Sequence, residues 1–268
     1  MRKVILLTGA TDGIGFETAK QLCALGHSLL LHGRNPSKLD AVKSRLIESE
    51  GEGDVEGYLA DFSRLSDVRK LAEDIVGKHG RLDVLINNAG IFHTTHETTE
   101  AGLDVRFVVN LLAPYLLTSR LLPLMNSDGR VINLSSAAQA PVSLEALAGR
   151  MRLSAMDAYA QSKLALTMWT RSLANELTGK GPSVIAVNPG SLLASKMVKE
   201  GFGVAGNDLR IGADVLVRAA LSEEFSNASG QYFDNDRGRF SNPHPSGLDD
   251  RKSAELIQLV EEILTNNA

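Results

Sequence analysis

Short apolar runs alternate along the chain with longer segments of helical periodicity, and this alternation limits the folds that the chain can adopt. Three of the runs are Val4–Leu7, Ser28–His32 and Val55–Ala60, and helical patterns at Ile14–Leu25 and Pro36–Glu50 separate them. Strands that alternate with helices form a parallel sheet covered on both faces, and such strands are apolar throughout. The pattern therefore predicts an α/β fold, a doubly wound parallel sheet of about seven strands flanked by helices.

The same alternation continues to the end of the sequence, without a repeat or a change of composition that would mark a second domain. The further predicted strands are Leu82–Ile86, Arg130–Leu134, Ser183–Val187 and Gln231–Phe233. The further predicted helices are Leu65–His79, Glu100–Met125, Asp157–Thr178, Leu209–Leu221 and Asp249–Leu264. We therefore expect one domain over residues 1–268. Ligands of such sheets bind at the carboxyl ends of the strands, so the irregular segments 139–155, 191–208 and 234–250 are expected to surround the substrate.

Composition excludes several classes of protein. The net charge of −4 provides no basic surface for a nucleic-acid partner, and a single cysteine, Cys23, excludes a disulfide within the chain. The opening run Val4–Leu7 is too short for a signal peptide, and no apolar stretch is judged long enough to span a membrane. We expect a cytoplasmic protein without a membrane partner. His93 and His96 lack a third ligand apart from Glu97, so no metal site is predicted.

A glycine-rich segment, Thr8–Gly15, joins the first predicted strand to the first predicted helix and is called the glycine loop below. Gly9 permits a tight turn, Gly13 lets backbone amides approach a pyrophosphate, and Gly15 permits close packing of helix on strand. The helix N-terminus adds partial positive charge. The loop therefore predicts a dinucleotide site, to which Thr11, Asp12 and Ile14 also belong.

Five motifs in this order are typical of one family. They are Thr8–Gly15, Asn87–Gly90 (N-N-A-G), Ser136, Tyr159–Lys163 (Y-x-x-x-K) and Asn188–Gly190 (N-P-G). Together they resemble the short-chain dehydrogenases/reductases over essentially the whole chain. The resemblance implies a single Rossmann-type domain and an oxidoreductase that moves a hydride between a nicotinamide cofactor and a carbonyl or alcohol carbon.

Tyr159 and Lys163 are four residues apart on one predicted helix and therefore share a face. A nearby ammonium favours the phenolate, so Lys163 is expected to lower the pKa of Tyr159 toward the range of proton exchange at neutral pH. The resemblance implies that Tyr159 is the general acid/base and that Lys163 also binds the nicotinamide ribose.

Two further side chains complete the predicted catalytic set of Asn110, Ser136, Tyr159 and Lys163. Ser135 and Ser136 should point to opposite sides because strand residues alternate, and the resemblance favours Ser136 as the group that binds the substrate oxygen. The resemblance also implies that Asn110 holds a water that relays protons to the lysine. An asparagine there can equally bond neighbouring backbone at a helix irregularity, and both roles can coexist.

The stretch between the serine and the tyrosine departs from the commonest pattern of the family. Tyr159 follows Ser136 by 23 positions, where about a dozen is usual in the family, and this spacing with Tyr159–Ala165 most resembles the retinol-dehydrogenase-like branch. The extra residues, which include Leu144–Leu147 and Arg150–Leu153, either shape the substrate site or form a surface loop. Branch membership does not fix the substrate.

The residues after the second strand favour NADP(H) over NAD(H). NAD-preferring relatives have an acidic residue where this chain has Gly33, and Arg34 offers a guanidinium suited to a 2′-phosphate. Asp12 departs from relatives that carry a basic residue there. By resemblance, Asp61 and Phe62 contact adenine, the first by its side chain and the second by its backbone. The remaining predicted cofactor contacts are Asn88, Ala89, Gly90, Tyr159, Lys163, Pro189, Gly190 and Ser195.

The sequence thus predicts an NADP(H)-dependent oxidoreductase acting on a small or lipophilic carbonyl or alcohol. The lipophilic alternative depends on an apolar lining expected from Leu192, Leu193, Met197 and Phe202. The alternative class is an NADP(H)-binding sensor or scaffold without turnover. A homodimer or homotetramer is expected by resemblance, paired through the helices around Leu111–Leu122 and Ala165–Leu177.

Overall fold

A computed structural model describes residues 1–48, 53–191, 193–194 and 206–267, which form one eight-stranded sheet. The strands are β1 Val4–Leu7, β2 Ser28–Gly33, β3 Val55–Leu59, β4 Val84–Asn87, β5 Arg130–Leu134, β6 Ser183–Asn188, β7 Tyr232–Asp234 and β8 Arg239–Ser241. Their order across the sheet is β3-β2-β1-β4-β5-β6-β7-β8, and only β8 runs antiparallel among these described strands. The predicted α/β Rossmann-type fold is confirmed.

Helices cover both faces of the sheet. They are α1 Gly13–Ala24, α2 Pro36–Glu48, α3 Leu65–Lys78, α4 Val105–Phe107, α5 Ala113–Leu121, α6 Leu144–Leu147, α7 Ala155–Glu176, α8 Leu209–Leu221 and α9 Asp250–Asn266. Helices α1, α2 and α8 bury apolar side chains on one face, and α3, α5, α7 and α9 bury theirs on the other. All parallel strands end at one edge of the sheet, where the glycine loop and the N-terminus of α7 lie.

The prediction of one regular helix over Glu100–Met125 is wrong, because the helix starts later and is interrupted. An isolated β-bridge joins Thr98 to Asp104, and the helix begins only at Val105, where the Asp104 carboxylate accepts from the Arg106 amide. A π-helical turn at Val108–Leu112 then separates α4 from α5. Residue 114 is proline and has no amide hydrogen, so the α-helical bond to the carbonyl of residue 110 cannot form.

The prediction that no apolar stretch reaches membrane-spanning length is also wrong. Val105–Leu124 is long and apolar enough by length and composition alone. In the fold, 67% of its most apolar window is buried, and the segment contributes to the core between α3 and α7. This burial is typical of a core helix in a folded domain.

The C-terminal helix α9 forms an additional layer outside α7. Every residue of α7 from Gln161 to Thr170 is buried, so no side of these turns faces solvent. The buried side chains of α9 that close this layer are Ser253, Leu256, Val260 and Ile263. Tyr115 of α5 donates to Glu261 of α9 at 2.9 Å. Helix α9 therefore covers residues 161–170 of α7, whereas Ser119 and Arg120 of α5 and Asn175 and Glu176 of α7 are exposed.

Candidate active site

The glycine loop has the geometry expected of a phosphate-binding turn. Gly9 and Gly13 adopt positive φ angles of 64° and 55°, which favour glycine. A Cβ on Gly15 would lie 2.2 Å from the Gly9 carbonyl oxygen, so only glycine allows this approach of helix and strand. The Asp12 carboxylate accepts from the Gly13 amide at 2.8 Å and caps α1. Asp12 thus has a structural role in addition to its predicted place in the cofactor site.

The N-N-A-G motif holds the glycine loop from the neighbouring strand. The Asn88 side-chain amide donates to the carbonyls of Thr8 and Gly9 at 2.8 and 3.0 Å. The Ala89 amide donates to the Thr8 hydroxyl at 3.0 Å. Asn88 and Ala89, predicted as cofactor contacts, therefore fix the loop that would receive the phosphates.

His32 is a residue of this region that the sequence analysis did not single out. Its Nδ1 accepts from the Gly9 amide at 3.2 Å, which leaves the proton on Nε2 to be donated to the Ala60 carbonyl at 3.0 Å. Its ring stacks on Phe62 at 4.0 Å between centroids. Burial lowers the pKa of His32 to about 4, although the Ala60 hydrogen bond and the charge of Asp61 oppose the shift. The only sequence signal was a lone histidine in an apolar strand.

Stability is expected to fall as the pH drops through the range set by His32. The unfolded chain takes up a proton below about pH 6.5, while the folded chain resists protonation down to about pH 4. The free energy of unfolding of the wild type should therefore lose about 3 kcal/mol from this residue across that window. Urea unfolding against pH, compared with the non-titrating His32→Gln variant, measures the difference. Parallel pH curves for the two proteins would contradict a neutral buried histidine.

Ser136 and Tyr159 meet at the carboxyl end of β5. The Ser136 hydroxyl hydrogen-bonds to the Tyr159 phenol and accepts from the Ala138 amide at 3.1 Å. Ser135 points the other way, where its hydroxyl contacts the Thr167 hydroxyl at 2.7 Å and donates to the Lys163 carbonyl at 3.2 Å. The predicted separation of the two serines onto opposite sides is thus what the structure shows, and Ser136 is the one beside the tyrosine.

Lys163 lies below the tyrosine on the same helix. Its Nζ is 5.7 Å from the centre of the Tyr159 ring and donates to the Leu134 carbonyl at 2.7 Å. Burial lowers the pKa of Lys163 to about 8. The pKa of Lys163 is therefore close enough to neutral pH for the ammonium to release its proton.

The pKa of Tyr159 departs from the sequence-based prediction. We expected Lys163 to lower it, whereas burial raises the pKa of the phenol and only the hydrogen bond with Ser136 acts in the lowering direction. Burial disfavours the charged phenolate, and the Lys163 ammonium contacts a carbonyl and not the phenol oxygen. The raised pKa therefore keeps the Tyr159 phenol protonated at neutral pH.

Asn110 lies within the π-helical turn described above. Its Nδ2 donates to the Ile91 carbonyl and to the Ser162 hydroxyl, both at 3.0 Å, and its Oδ1 accepts from the Ile91 amide at 2.8 Å. These are the neighbouring contacts at a helix irregularity that the sequence analysis considered. A Cβ on Gly90 would lie 3.2 Å from Asn110 Oδ1 and 3.4 Å from Lys163 Nζ. Asn110 and Lys163 therefore border the same space above Gly90.

The end of β2 carries the charges expected for a 2′-phosphate. Arg34 and Lys38 are exposed, and the Lys38 ammonium lies 3.5 Å from the Asp12 carboxylate. A Cβ on Gly33 would meet Thr11 Cγ2 at 2.5 Å, so the glycine loop packs directly on this position. Lys38, on the first turn of α2, is a second cation that the sequence analysis missed.

The other predicted cofactor contacts lie at the same edge of the sheet. Asp61 uses one carboxylate oxygen to accept from the amide and the hydroxyl of Ser63, at 2.9 and 2.8 Å. Pro189 and Gly190 follow β6, and Gly190 has a positive φ of 121°. Ser195 and the predicted lining residues Leu192, Met197 and Phe202 lie outside the described residues, whereas Leu193 is buried.

The extra segment before Tyr159 is integrated into the fold. Its short helix α6 buries Leu147 completely, and the Ser143 amide donates to the Gln161 side chain at 2.9 Å. Gln139, at the start of the segment, donates to the Ser136 carbonyl at 3.0 Å and accepts from the His244 amide at 2.8 Å. Segments 139–155 and 234–250 therefore contact each other beside Ser136, and their place around the substrate stays a prediction.

Comparison with known proteins agrees with this geometry. The family model described as short chain dehydrogenase matches residues 3–202. Mouse retinol dehydrogenase 13 is 31% identical over 273 residues, which cover 95% of this chain and 81% of that protein. The fold and the family match define a Rossmann-type oxidoreductase, of a family that binds NAD(P). The chain belongs to the short-chain dehydrogenase family, and its relatives place it near the retinol-dehydrogenase-like branch.

Solved structures show the same fold. The crystal structure of an uncharacterized protein from Mycobacterium paratuberculosis is 27% identical, with a TM-score of 0.81 over 98% of this chain and 93% of that chain. A short chain dehydrogenase from Shigella flexneri, complexed with NADP, is 28% identical, with a TM-score of 0.69 over 87% of this chain and 96% of that chain.

Proposed function

We propose that the chain transfers a hydride between NADP(H) and the carbonyl or alcohol carbon of a small or lipophilic substrate. The observation that carries this proposal is the single cluster formed by Ser136, Tyr159, Lys163 and Asn110 beside the glycine loop. A sensor or scaffold has no need for a proton donor hydrogen-bonded to a second hydroxyl at the ligand edge of the sheet.

The residues present fit a dinucleotide. The glycine loop leaves no room for a Cβ at Gly15 and presents the N-terminus of α1, which suits a pyrophosphate. At the other end, Lys163 and Asn110 lie beside each other at Gly90, where a Cβ would be 3.4 and 3.2 Å from them, and they are the side chains that would hold a nicotinamide ribose. When bound, the nicotinamide supplies or accepts the hydride.

The protein side of the reaction follows from the contacts. Ser136 and Tyr159 carry neighbouring hydroxyl groups, so a carbonyl oxygen placed beside both would accept two hydrogen bonds. In the direction of reduction the protonated Tyr159 donates its proton to that oxygen, and its raised pKa keeps the proton available. Lys163, whose pKa is lowered to about 8 by burial, holds an ionisable proton 5.7 Å from the centre of the Tyr159 ring. Asn110 keeps Ile91 and Ser162 in place beside this path.

NADP(H) is the proposed cofactor because two cations flank the end of β2. Arg34 can form charge-assisted hydrogen bonds to a 2′-phosphate, and Lys38 adds a point charge on the adjacent helix turn. The NADP complex of the relative from Shigella flexneri supports this assignment.

Removal of the Arg34 guanidinium is expected to weaken the binding of NADPH but not the binding of NADH. In Arg34→Ala the KM for NADPH should rise about tenfold or more while the KM for NADH stays nearly constant, because only NADPH carries the phosphate. Steady-state kinetics with both cofactors measure the change. Arg251→Ala, which removes an exposed guanidinium on α9, is the matched control. Equal effects of Arg34→Ala on both cofactors would contradict the assignment.

The test of the function as a whole is turnover of NADPH and NADH against short-chain and long-chain aldehydes and ketones. The lipophilic part of the proposal is supported by the buried Leu193 and by the retinol dehydrogenase relative. Oxidation of NADPH with a preference for long-chain carbonyls is the expected result. Tight NADP(H) binding without turnover on any of them would favour the sensor or scaffold alternative. The cytoplasmic location and the oligomeric state stay predictions.

A further inference from the structure

We propose that Asp236, in the turn between β7 and β8, is a positioning residue that fixes the Pro189–Ser191 turn for the nicotinamide half of the cofactor. This inference rests on the proposed function. The β7–β8 hairpin lies beyond residues 3–202, which the family model covers, so the contact is made by a part of the chain that the family match does not describe.

Among the described residues, the side chain of Asp236 accepts hydrogen bonds from the last residue of β6 and from the turn that follows it. One carboxylate oxygen accepts from the Ser191 amide at 2.7 Å. The other accepts from the Ser191 hydroxyl at 2.6 Å and from the Asn188 side chain at 2.9 Å. Three donors from two residues therefore converge on one carboxylate, and carboxylate acceptors give stronger hydrogen bonds than neutral ones.

The neighbouring residue of the hairpin strengthens the attachment. Asn235 donates its side-chain amide to the Pro189 carbonyl at 2.9 Å, and its backbone amide donates to the Asn188 carbonyl at 3.2 Å. Asp236 is the anionic member of this set. Although burial opposes its ionisation, the hydrogen bonds from Ser191 and Asn188 hold the pKa of its carboxyl below the usual value, so it is charged at neutral pH.

The held turn contains a backbone conformation that favours glycine. Gly190 has a φ of 121°, and a Cβ placed there would be 3.9 Å from the Asp236 carboxylate. The turn follows β6, which pairs with β5, the strand that leads into Ser136. Its position therefore determines how a nicotinamide would lie against Ser136 and Tyr159.

The two halves of the dinucleotide would bind at different sides of the sheet. Arg34 and the glycine loop are at the β1–β2 side of the sheet, whereas the Pro189–Ser191 turn is at the β6–β7 side. Loss of the Asp236 carboxylate should therefore weaken the binding of a ligand that carries nicotinamide. The binding of a ligand that carries only the adenosine half should not change. A contact that merely stabilises the fold would not make this distinction.

The experiment is calorimetric titration of the full chain with NADP⁺ and, separately, with adenosine 2′,5′-bisphosphate. In Asp236→Asn, which keeps the shape but removes the charge, the Kd of NADP⁺ should rise about tenfold, as expected for weakened hydrogen bonds to a charged group. The Kd of the bisphosphate should not change. Asp128→Asn makes the same chemical change in the exposed turn before β5 and should affect neither ligand.

A second variant, Ser191→Ala, removes the hydroxyl donor and keeps the backbone amide donor. The Kd of NADP⁺ should therefore rise by a smaller factor than in Asp236→Asn. This variant can be measured even if Asp236→Asn does not fold. In one outcome the wild type binds both ligands while Asp236→Asn and Ser191→Ala bind NADP⁺ with unchanged affinity. That result would overturn the positioning role of Asp236 and leave the proposed cofactor standing. Equal weakening of both ligands in the folded variants would also overturn it. A wild type that binds neither ligand would overturn the proposed cofactor.

Discussion

Replacement of Tyr159 by phenylalanine is expected to lower kcat for carbonyl reduction by about a thousandfold, the effect typical of losing a general acid. The phenol is the proposed proton donor to the substrate oxygen, and Ser136 is its hydrogen-bond partner. The ring itself packs edge-on against Phe92 at 5.2 Å and would remain in place. The Kd of NADPH should change little because the lost hydroxyl serves the substrate.

Tyr115→Phe is the matched control, since Tyr115 loses only a surface hydrogen bond to Glu261 on α9. Stopped-flow or steady-state absorbance of the reduced nicotinamide gives kcat, and fluorescence titration gives the Kd of NADPH. Retention of full turnover in Tyr159→Phe would remove the tyrosine from the chemistry and with it the proposed mechanism.

A change of cofactor preference is expected to need two substitutions. An aspartate at position 33 would accept hydrogen bonds from the ribose hydroxyl of NADH and repel the 2′-phosphate of NADPH. Its Cβ, however, would lie 2.5 Å from Thr11 Cγ2. Gly33→Asp alone should therefore displace the glycine loop and lower kcat/KM with both cofactors.

Thr11→Ser removes the obstructing methyl group. In the double variant Thr11→Ser/Gly33→Asp, the ratio of kcat/KM for NADPH to that for NADH should fall about 100-fold, as expected when attraction of a phosphate gives way to repulsion. The single variant Thr11→Ser measures what the methyl group contributes by itself. A complete switch with Gly33→Asp alone would show that the loop is not held against β2 as tightly as the contact indicates.

The fold was predictable because it depends on repetition along the chain. Alternating apolar and helical segments defined the parallel sheet, and the N-N-A-G and Y-x-x-x-K motifs fell at its carboxyl edge as expected. Strand β8 was missed, since three residues after a tight turn, Arg239–Ser241, carry almost no periodic signal. A helix irregularity was considered at Asn110, but its form as a π turn over Val108–Leu112 was not predicted, because an apolar run looks the same in any helical winding.

The candidate site was predictable where its residues are close in sequence, as Tyr159 and Lys163 are. Contacts between distant positions were not. His32 is 23 residues from Gly9, and Asp236 is 45 residues from Ser191. The predicted direction of the Tyr159 pKa shift was also wrong. The four-residue spacing indicates that Lys163 is near, but it shows neither the burial of the phenol nor the carbonyl that the Lys163 ammonium contacts.

The enclosure of α7 limits how this part of the sequence can vary. Ten consecutive residues, Gln161–Thr170, have the sheet on one side and α9 or the α4–α5 segment on the others. A surface helix can accept larger side chains on its outer face, whereas this one has no outer face over nearly three turns. Small residues such as Ala165 and Thr167 can therefore be enlarged only by displacing the helix that carries Tyr159 and Lys163. Mutational tolerance should be lowest in this segment, including positions that never touch a ligand.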